Sequence, residues 1–347
     1  METIWFCLVA VMIAMYVVLD GFDIGAGMIS LLVARGKAER RAVIQSIAPV
    51  WDGNEVWLLA GGGVLYFAFP KLYASSFQGF YLPLMMVLWL LMFRGLSIEL
   101  RNHLDNPTWV PFWDFLFGVA SLLLAIFFGA ALGNVVRGVP LDERGDFFLP
   151  LWTNFNVGAD VGILDWYTVL VGVLAALTLL MHGSSWVTLK TEGGLCERAR
   201  GAGRMAWLGV AAMTVIVTVA SFAIQPALRK AFEDRPWGYI FPALALAGLA
   251  GVFVWQRQPG GEVRAFLSSC LFIIGMLTSA TQGVFPNVLP AVSGADRSLT
   301  IYNAAAPAYG LAIGFAWWIP GMIIAAGYFF FAYRRLAGKV KLEAAGH

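Results

Sequence analysis

The chain has 347 residues, of which 60% are hydrophobic and only 13% are charged, and its net charge at pH 7 is +2. Soluble domains carry about 25% charged residues, so the composition excludes an ordinary soluble protein and indicates a multi-pass helical membrane protein. The small net charge gives no reason to expect a nucleic acid partner. The three cysteines show no spacing typical of a metal site or a disulfide framework.

The apolar tracts predict an all-α protein with nine transmembrane helices, because a bilayer core requires about 20 helical residues. The number of predicted helices suggests one membrane domain, 1–347. It would consist of a first four-helix bundle in 1–137, a second in 165–285, and a peripheral helix, 308–333. The second tract is short unless its helix begins near Ile47. The predicted spans are 4–33, 53–70, 73–98, 112–136, 165–189, 205–225, 237–256, 265–285 and 308–333.

The positions of Lys and Arg predict an N-terminus outside and a C-terminus in the cytoplasm, since cytoplasmic loops carry an excess of basic residues. In this orientation sixteen of the 23 basic residues face the cytoplasm. The longest external connections are then 137–164 and 286–307.

The segment LDGFDIGAGM, residues 19–28, places two acids in the first predicted helix. Asp20 and Asp23 are three residues apart and share one helix face. Its glycines would let another helix approach closely. Carboxylates in a membrane usually face a bundle interior or water. The alternatives are a pair of interfacial acids or a helix break at glycine.

The segment WDGNEVWLLAGGG, residues 51–63, has two interpretations. Asp52 could be an N-cap with Glu55 at N3, in a capping box that starts the helix at Gly53. The capping box leaves Trp51 and Trp57 unexplained. The three consecutive glycines, 61–63, would suit a closely packed neighbouring helix or a bound group. The second interpretation is a proton path, and both remain open.

The segment FRGLSIELR, residues 93–101, contains Arg94 and Glu99 at the predicted cytoplasmic end of the third span. An ordinary charged helix end is the alternative. Carboxyl groups gathered near one membrane face can exchange protons through intervening water. The sequence therefore favours a proton-conducting half-channel built from five acids: Asp20, Asp23, Asp52, Glu55 and Glu99.

A haem iron needs an axial ligand such as His or Met, and His182 is the one histidine inside a predicted span. A hydrogen-bonded histidine is the better interpretation. We expect no metal or cofactor to be bound by this chain alone.

Four segments together resemble subunit II of the cytochrome bd-type quinol oxidases. They are LDGFDIGAGM at 19–28, IAPVWDGNEVWLLAGGGVLYFAFP at 47–70, FRGLSIELR at 93–101 and SLTIYNAAA at 298–306. The resemblance covers most of the chain and is densest in the first hundred residues.

The resemblance implies an enzyme of the bacterial cytoplasmic membrane that oxidises quinol, reduces dioxygen to water and generates a proton-motive force. It implies a heterodimer in which subunit I holds the quinol site, two haems b and one haem d. Subunit II has two four-helix bundles, a peripheral helix and usually no haem. Some members have small single-helix accessory subunits, and some have a structural quinone in subunit II.

The resemblance also implies roles for individual residues. Asp52 matches the family's carboxylate on the cytoplasmic proton path, and Trp57 matches a tryptophan near a proposed dioxygen route. Glu99 matches a position that is often acidic, and Asp20 and Asp23 match the acidic pair of the first helix. We expect these three acids to belong to the proton path as well. Motif positions without an independent role are Arg94, Glu55 and Trp51.

Two other functions are consistent with the residues alone. A proton-coupled secondary transporter would need acids deep in both halves of the chain, whereas the last four predicted spans contain almost none. A non-catalytic scaffold would use its acids only as helix caps.

Overall fold

The computed structural model describes residues 1–104, 106–158 and 160–340, which fold almost entirely into α-helices. A short antiparallel ribbon, β1 (Asn287–Leu289) with β2 (Leu299–Thr300), lies in the connection before the last helix. The helices are α1 (Glu2–Val33), α2 (Gly36–Ile47), α3 (Trp51–Ala68), α4 (Pro70–Gly79), α5 (Tyr81–Leu100), α6 (Trp109–Arg137), α7 (Trp166–Lys190), α8 (Gly193–Ile224), α9 (Pro226–Asp234), α10 (Ile240–Trp255), α11 (Glu262–Val284) and α12 (Ala308–Arg335).

Eight helices in the described part of the chain are long and apolar enough to cross a membrane: α1, α5, α6, α7, α8, α10 with the 3-10 turn before it, α11 and α12. These confirm a mostly helical, multi-pass membrane protein. The predicted span that is not among these eight, 53–70, corresponds to α3, whose 18 residues extend about 27 Å. Its first five residues include Asp52, Asn54 and Glu55, so its composition alone does not mark it as a span.

The predicted third span, 73–98, is wrong as a single helix, because the chain breaks at Phe80 between α4 and α5. Pro83 has no N–H to donate to the carbonyl of Gly79, four residues earlier. That carbonyl accepts a hydrogen bond from the amide of Leu149 instead, at 3.3 Å. The break therefore holds the long connection between α6 and α7 against the helices.

The basic connection after α1 contains a helix, α2, although no predicted span covers this segment. Its Glu39 accepts hydrogen bonds from Arg198 of α8 and from the amide of Arg35, each at 2.5 Å. Partial burial would raise the pKa of Glu39, but these hydrogen bonds lower it below its usual value. The apolar side of α2 is buried through Ala42, Val43, Ile44 and Ile47.

Helix α1 lies in the centre of the molecule and packs against α3, α6, α7 and α11. It crosses α7 where Gly25 meets Gly183, and a Cβ atom at either position would overlap the backbone of the other helix. The close approach predicted from the glycines is thus confirmed. Because neighbouring helices surround this part of α1, Asp20 and Asp23 lie inside the bundle.

The two ends of the bundle have separate apolar cores. One core includes residues from both long connections, among them Leu141, Leu149 and Leu299, together with Trp5 and Leu311. The other core contains Phe22, Ile47, Phe117 and Trp186. Buried side chains in the connections explain why these long segments have a defined path.

Candidate functional site

A buried ion pair joins α1 and α5 at the centre of the candidate site. The side chains of Asp20 and Arg94 are entirely buried, and Arg94 Nη1 donates to Asp20 Oδ1 at 2.6 Å. The same guanidinium donates through Nη2 to Glu55 Oε2 of α3 at 3.2 Å, and 25% of the Glu55 side chain is exposed. Arg94 therefore connects a sealed carboxyl group to one that reaches the surface.

A chain of hydrogen bonds reaches the second buried acid, Asp23. Asn54 Nδ2 of α3 donates to Asp23 Oδ2 at 2.8 Å and to the carbonyl oxygen of Leu19 at 3.2 Å. The hydroxyl of Tyr333, on α12, donates to Asn54 Oδ1 at 2.9 Å. Asp23, Asn54 and Tyr333 thus bring three helices together at one carboxyl group.

The charges of this cluster do not balance when all its groups are ionised. Asp20, Asp23 and Glu55 supply three carboxyl groups against the single guanidinium of Arg94. Asp20 Oδ2, Asp23 Oδ1 and Arg94 Nε have no protein hydrogen-bond partner in the described residues. Uncompensated charge is costly in a low-dielectric interior, so the cluster has the composition of a site that binds and releases protons.

Two of the five predicted acids lie at the surface rather than in the buried cluster. Glu99 is exposed near the end of α5, and Asp52 is exposed in the first turn of α3. The predicted capping box is wrong, because α3 begins at Trp51 with Val50 as its N-cap, and no side chain caps it. Asp52 accepts from the amide of Gly53 at 2.7 Å. Asp52 is one helical turn before Glu55, the half-buried member of the cluster.

The tryptophans of the motif pack between helices. Trp51 is half-buried and its ring lies close to Gly95 of α5. Trp57 is buried beside Met12 and Tyr16 of α1, and its ring centroid is 5.5 Å from that of Phe329 in α12.

The glycines after Trp57 have no tight neighbour, contrary to one reading of the sequence. Gly62 and Gly63 face open space, with no atom within 4 Å of an added Cβ. An apolar groove of about 390 Å³ lies beside them. It is lined by Trp5, Ala60, Gly63, Val64, Phe67, Gly314, Trp317 and Trp318.

His182 is a buried, hydrogen-bonded histidine, as the sequence predicted. Its Nδ1 lies 2.7 Å from Ser269 Oγ and its Nε2 lies 2.9 Å from the carbonyl oxygen of Val18. Its ring stacks on Phe266 at 5.0 Å. Both nitrogens are committed to protein partners, so His182 does not fit an axial haem ligand. The C-terminal His347 lies outside the described residues.

Sequence reasoning missed Tyr333 and gave Asn54 no role. Asn54 lies inside the recognised motif, and its position between Asp52 and Glu55 was a usable signal. Tyr333 is 279 residues away from Asn54 along the chain. No local pattern connects these residues, because the packing of α12 creates the contact.

The fold and the site define a multi-pass helical membrane protein with a buried acid–arginine cluster near its first helix. The family model for cytochrome bd terminal oxidase subunit II matches residues 1–336. A protein of Haemophilus influenzae named probable cytochrome oxidase subunit 2 is 32% identical, with 97% of this chain and 94% of that protein covered.

Two further relatives are named ubiquinol oxidase subunits. The cytochrome bd ubiquinol oxidase subunit 2 of Bacillus subtilis is 32% identical, over 90% of this chain and 89% of that protein. The cytochrome bd-I ubiquinol oxidase subunit 2 of Escherichia coli K12 is 30% identical, over 87% of this chain and 85% of that protein.

A solved structure shares the fold. The bd oxidase of Geobacillus thermodenitrificans includes a chain that matches with a TM-score of 0.76 and 17% identity, covering 97% of this chain and 98% of that one.

The chain therefore belongs to the cytochrome bd terminal oxidase subunit II family. It is a component of a quinol oxidase complex, a membrane-bound respiratory oxidoreductase. Membership implies haem in that complex and a partner subunit I.

Proposed function

We propose that this chain supports the haem-bearing subunit I of a bd-type oxidase in the bacterial cytoplasmic membrane. In this proposal the complex oxidises quinol, reduces dioxygen to water and generates a proton-motive force. Subunit I holds two haems b and one haem d, which supply the electron transfer and oxygen chemistry when bound. Nine helices, oriented with the N-terminus outside, form two four-helix bundles and the peripheral helix α12.

The buried cluster of Asp20, Arg94 and Glu55 is the observation that carries a proton-path role for this chain. Charged side chains are rare inside membrane bundles and usually serve transport of ions or protons. Arg94 has no exposed side-chain surface, so it contacts neither solvent nor lipid headgroups. It compensates buried negative charge between α1 and α3.

The exposure of the acids gives the path a direction. Asp52 and Glu99 are exposed, Glu55 is half-buried, and Asp20 and Asp23 are sealed. We assign the exposed acids to collecting protons at the cytoplasmic surface and Glu55 to passing them inward. Asp20 and Asp23 then hold protons inside the bundle, with Arg94 keeping Asp20 in place.

A dioxygen route past Trp57 is the second part of the proposal. Dioxygen dissolves better in apolar surroundings than in water. The apolar groove beside Gly63 shares α3 with Trp57, and Val64 lies two turns after Trp57 on that helix. These features support an entry from the lipid phase toward the buried indole. Trp51 has a packing role between α3 and α5.

The first test isolates this chain, tagged, from its native membranes and records the reduced-minus-oxidised absorption spectrum. We expect bands of haem b and haem d together with one larger subunit. Single-helix accessory subunits would appear as additional small polypeptides. A colourless polypeptide that is stable alone would overturn the oxidase proposal and restore the transporter alternative.

The second test measures oxygen consumption of purified complexes. Asp52→Asn should cause a large loss of turnover while haem content and subunit ratio stay normal. Asp234→Asn is the matched control, since Asp234 is an exposed acid at the end of α9 and has no part in the proposed path. Wild-type turnover in Asp52→Asn would favour the scaffold interpretation, in which Asp52 has no part in proton uptake.

The distribution of buried acids opposes the transporter alternative. Among the described residues the buried carboxyl groups are Asp20, Asp23, Asp114 and Asp165, and none lies on α8 to α12. Asp114 pairs with Arg101 at 2.5 Å, and Asp165 pairs with Arg137. A transporter built from two related halves would need proton-binding acids in both. The buried acid of the second bundle, Asp165, is instead the N-cap of α7.

A further inference from the structure

We propose that Tyr333 of α12 is a positioning residue for proton transfer at Asp23, and that it acts through Asn54. The inference rests on the proposed proton path and adds to it a residue from the peripheral helix. In this assignment Tyr333 does not contact Asp23. It fixes the side chain of Asn54, which donates to Asp23.

The orientation of the Asn54 amide follows from its neighbours. The carbonyl oxygen of Leu19 can only accept a hydrogen bond, so the NH₂ group of Asn54 must face it, and the same NH₂ group donates to Asp23. The amide oxygen then points the other way, toward the hydroxyl of Tyr333 at 2.9 Å. Tyr333 thus satisfies the one end of Asn54 that the α1 partners cannot satisfy.

This chain of donors acts on the protonation of Asp23. The bond from Asn54 to Asp23 Oδ2 is a donor contact, and donors favour the ionised form of a carboxyl group. Hydrogen bonds in a chain polarise one another, so donation by Tyr333 strengthens donation by Asn54. The expected consequence is that Asp23 releases its proton more readily with the Tyr333 hydroxyl in place.

The structure also explains how a peripheral helix holds this side chain. Leu311, near the opposite end, is the one buried residue of α12. The cytoplasmic end of α12 is fixed by the segment that follows the helix. Lys190 Nζ donates to the carbonyls of Leu336 and Gly338, and the amide of Val340 donates to the carbonyl of Lys190. These bonds anchor the end of α12 on α7.

The ring of Tyr333 packs among aromatic side chains of the bundle. Its centroid is 6.5 Å from that of Phe22 and 6.4 Å from that of Trp186, both nearly perpendicular. Tyr333→Phe keeps these contacts and removes only the hydroxyl. The variant therefore separates the hydrogen bond from the packing.

The experiment measures oxygen consumption against pH for the intact complex. We expect Tyr333→Phe to lower turnover at neutral pH on the order of 2–10-fold, the effect of one lost hydrogen bond. Its pH–activity profile should move toward alkaline pH, with haem content and subunit ratio unchanged. Tyr328→Phe, a matched change on the same helix at a 58% exposed tyrosine, should behave as wild type.

A double-variant comparison separates positioning from general support. If Tyr333 acts only through Asn54, then Tyr333→Phe should add nothing to the loss already caused by Asn54→Leu. The inference would be overturned if the losses in the double variant were additive. It would also be overturned if Tyr333→Phe lowered turnover by the same factor at every pH, or if its pH–activity profile matched that of Tyr328→Phe. If Tyr333→Phe does not assemble, Asn54→Leu must show the alkaline shift by itself.

Asp23→Asn distinguishes failure of this inference from failure of the proposed function. Wild-type turnover in Asp23→Asn would overturn the proton-path role of Asp23, and the inference with it. Low turnover in Asp23→Asn with a wild-type profile in Tyr333→Phe would overturn only the role of Tyr333.

Discussion

Removal of the buried cation Arg94 is the sharpest test of the acid cluster. Arg94→Met preserves most of the side-chain volume but leaves Asp20, which has no exposed side-chain surface, without its charge partner. Breaking a buried pair by removing one partner typically costs about 3–5 kcal/mol. Arg94 also binds Glu55, but that carboxyl group is partly exposed and can be solvated.

The expected shift of the midpoint of thermal unfolding follows from the length of the chain. Unfolding entropies of about 2 cal/mol/K per residue over 347 residues give roughly 0.7 kcal/mol/K. A loss of about 3–5 kcal/mol then lowers the midpoint by about 4–7 °C when this chain unfolds as its own unit, and by less when subunit I unfolds with it. The assay is the thermal unfolding of the purified complex in detergent, followed by tryptophan fluorescence.

Two controls decide the interpretation of Arg94→Met. Arg229→Met breaks an exposed pair with Glu233, in which 77% of the arginine side chain is exposed, so the midpoint should barely move. Asp20→Asn combined with Arg94→Met removes both charges and should recover most of the loss. Equal losses in Arg94→Met and Arg229→Met, or a double variant no better than Arg94→Met, would refute the buried-charge argument.

Two further predictions concern the contact of α1 with α7 and the ion pair of α2 with α8. Gly183→Ala should lower the unfolding midpoint or prevent assembly, because its Cβ would overlap Gly25 and overpacking costs about 1–3 kcal/mol. Gly201→Ala, where a Cβ meets no atom within 4 Å, should be neutral or stabilising, and a similar loss in both variants would contradict this view. Glu39→Gln should destabilise by up to about 1 kcal/mol at pH 7. The lowered pKa of Glu39 means that its contribution is present above about pH 4.3 and is lost at more acidic pH, so a pH-independent effect would oppose the assignment.

The acids of the candidate site could be predicted from sequence, but their grouping could not. Asp20 and Asp23 share a helix face by their spacing, and Glu55 stands in a recognisable motif. Which acid is sealed depends on neighbouring helices, and Asp52 and Glu99 proved to be exposed. The contact of Asn54 with Tyr333 joins residues far apart in the chain, so no local pattern could indicate it.

Some helix boundaries could likewise be predicted from sequence, and others could not. Long apolar tracts predicted most spans, because a bilayer imposes length and composition on any helix that crosses it. Pro83 is a local signal for the break at Phe80, but the amide of Leu149 that pairs with the freed carbonyl of Gly79 comes from a distant connection. The capping box failed because α3 begins one residue before Asp52.

The sequence by itself determined that this protein is a helical membrane protein and which motifs it carries. Hydrophobic length and residue spacing are local properties, and the family motifs are contiguous segments. The tertiary structure alone decided that Arg94 faces Asp20 and that Tyr333 reaches Asn54. Partners and burial belong to the packed bundle, because the cost of a buried charge is set by the side chains of neighbouring helices.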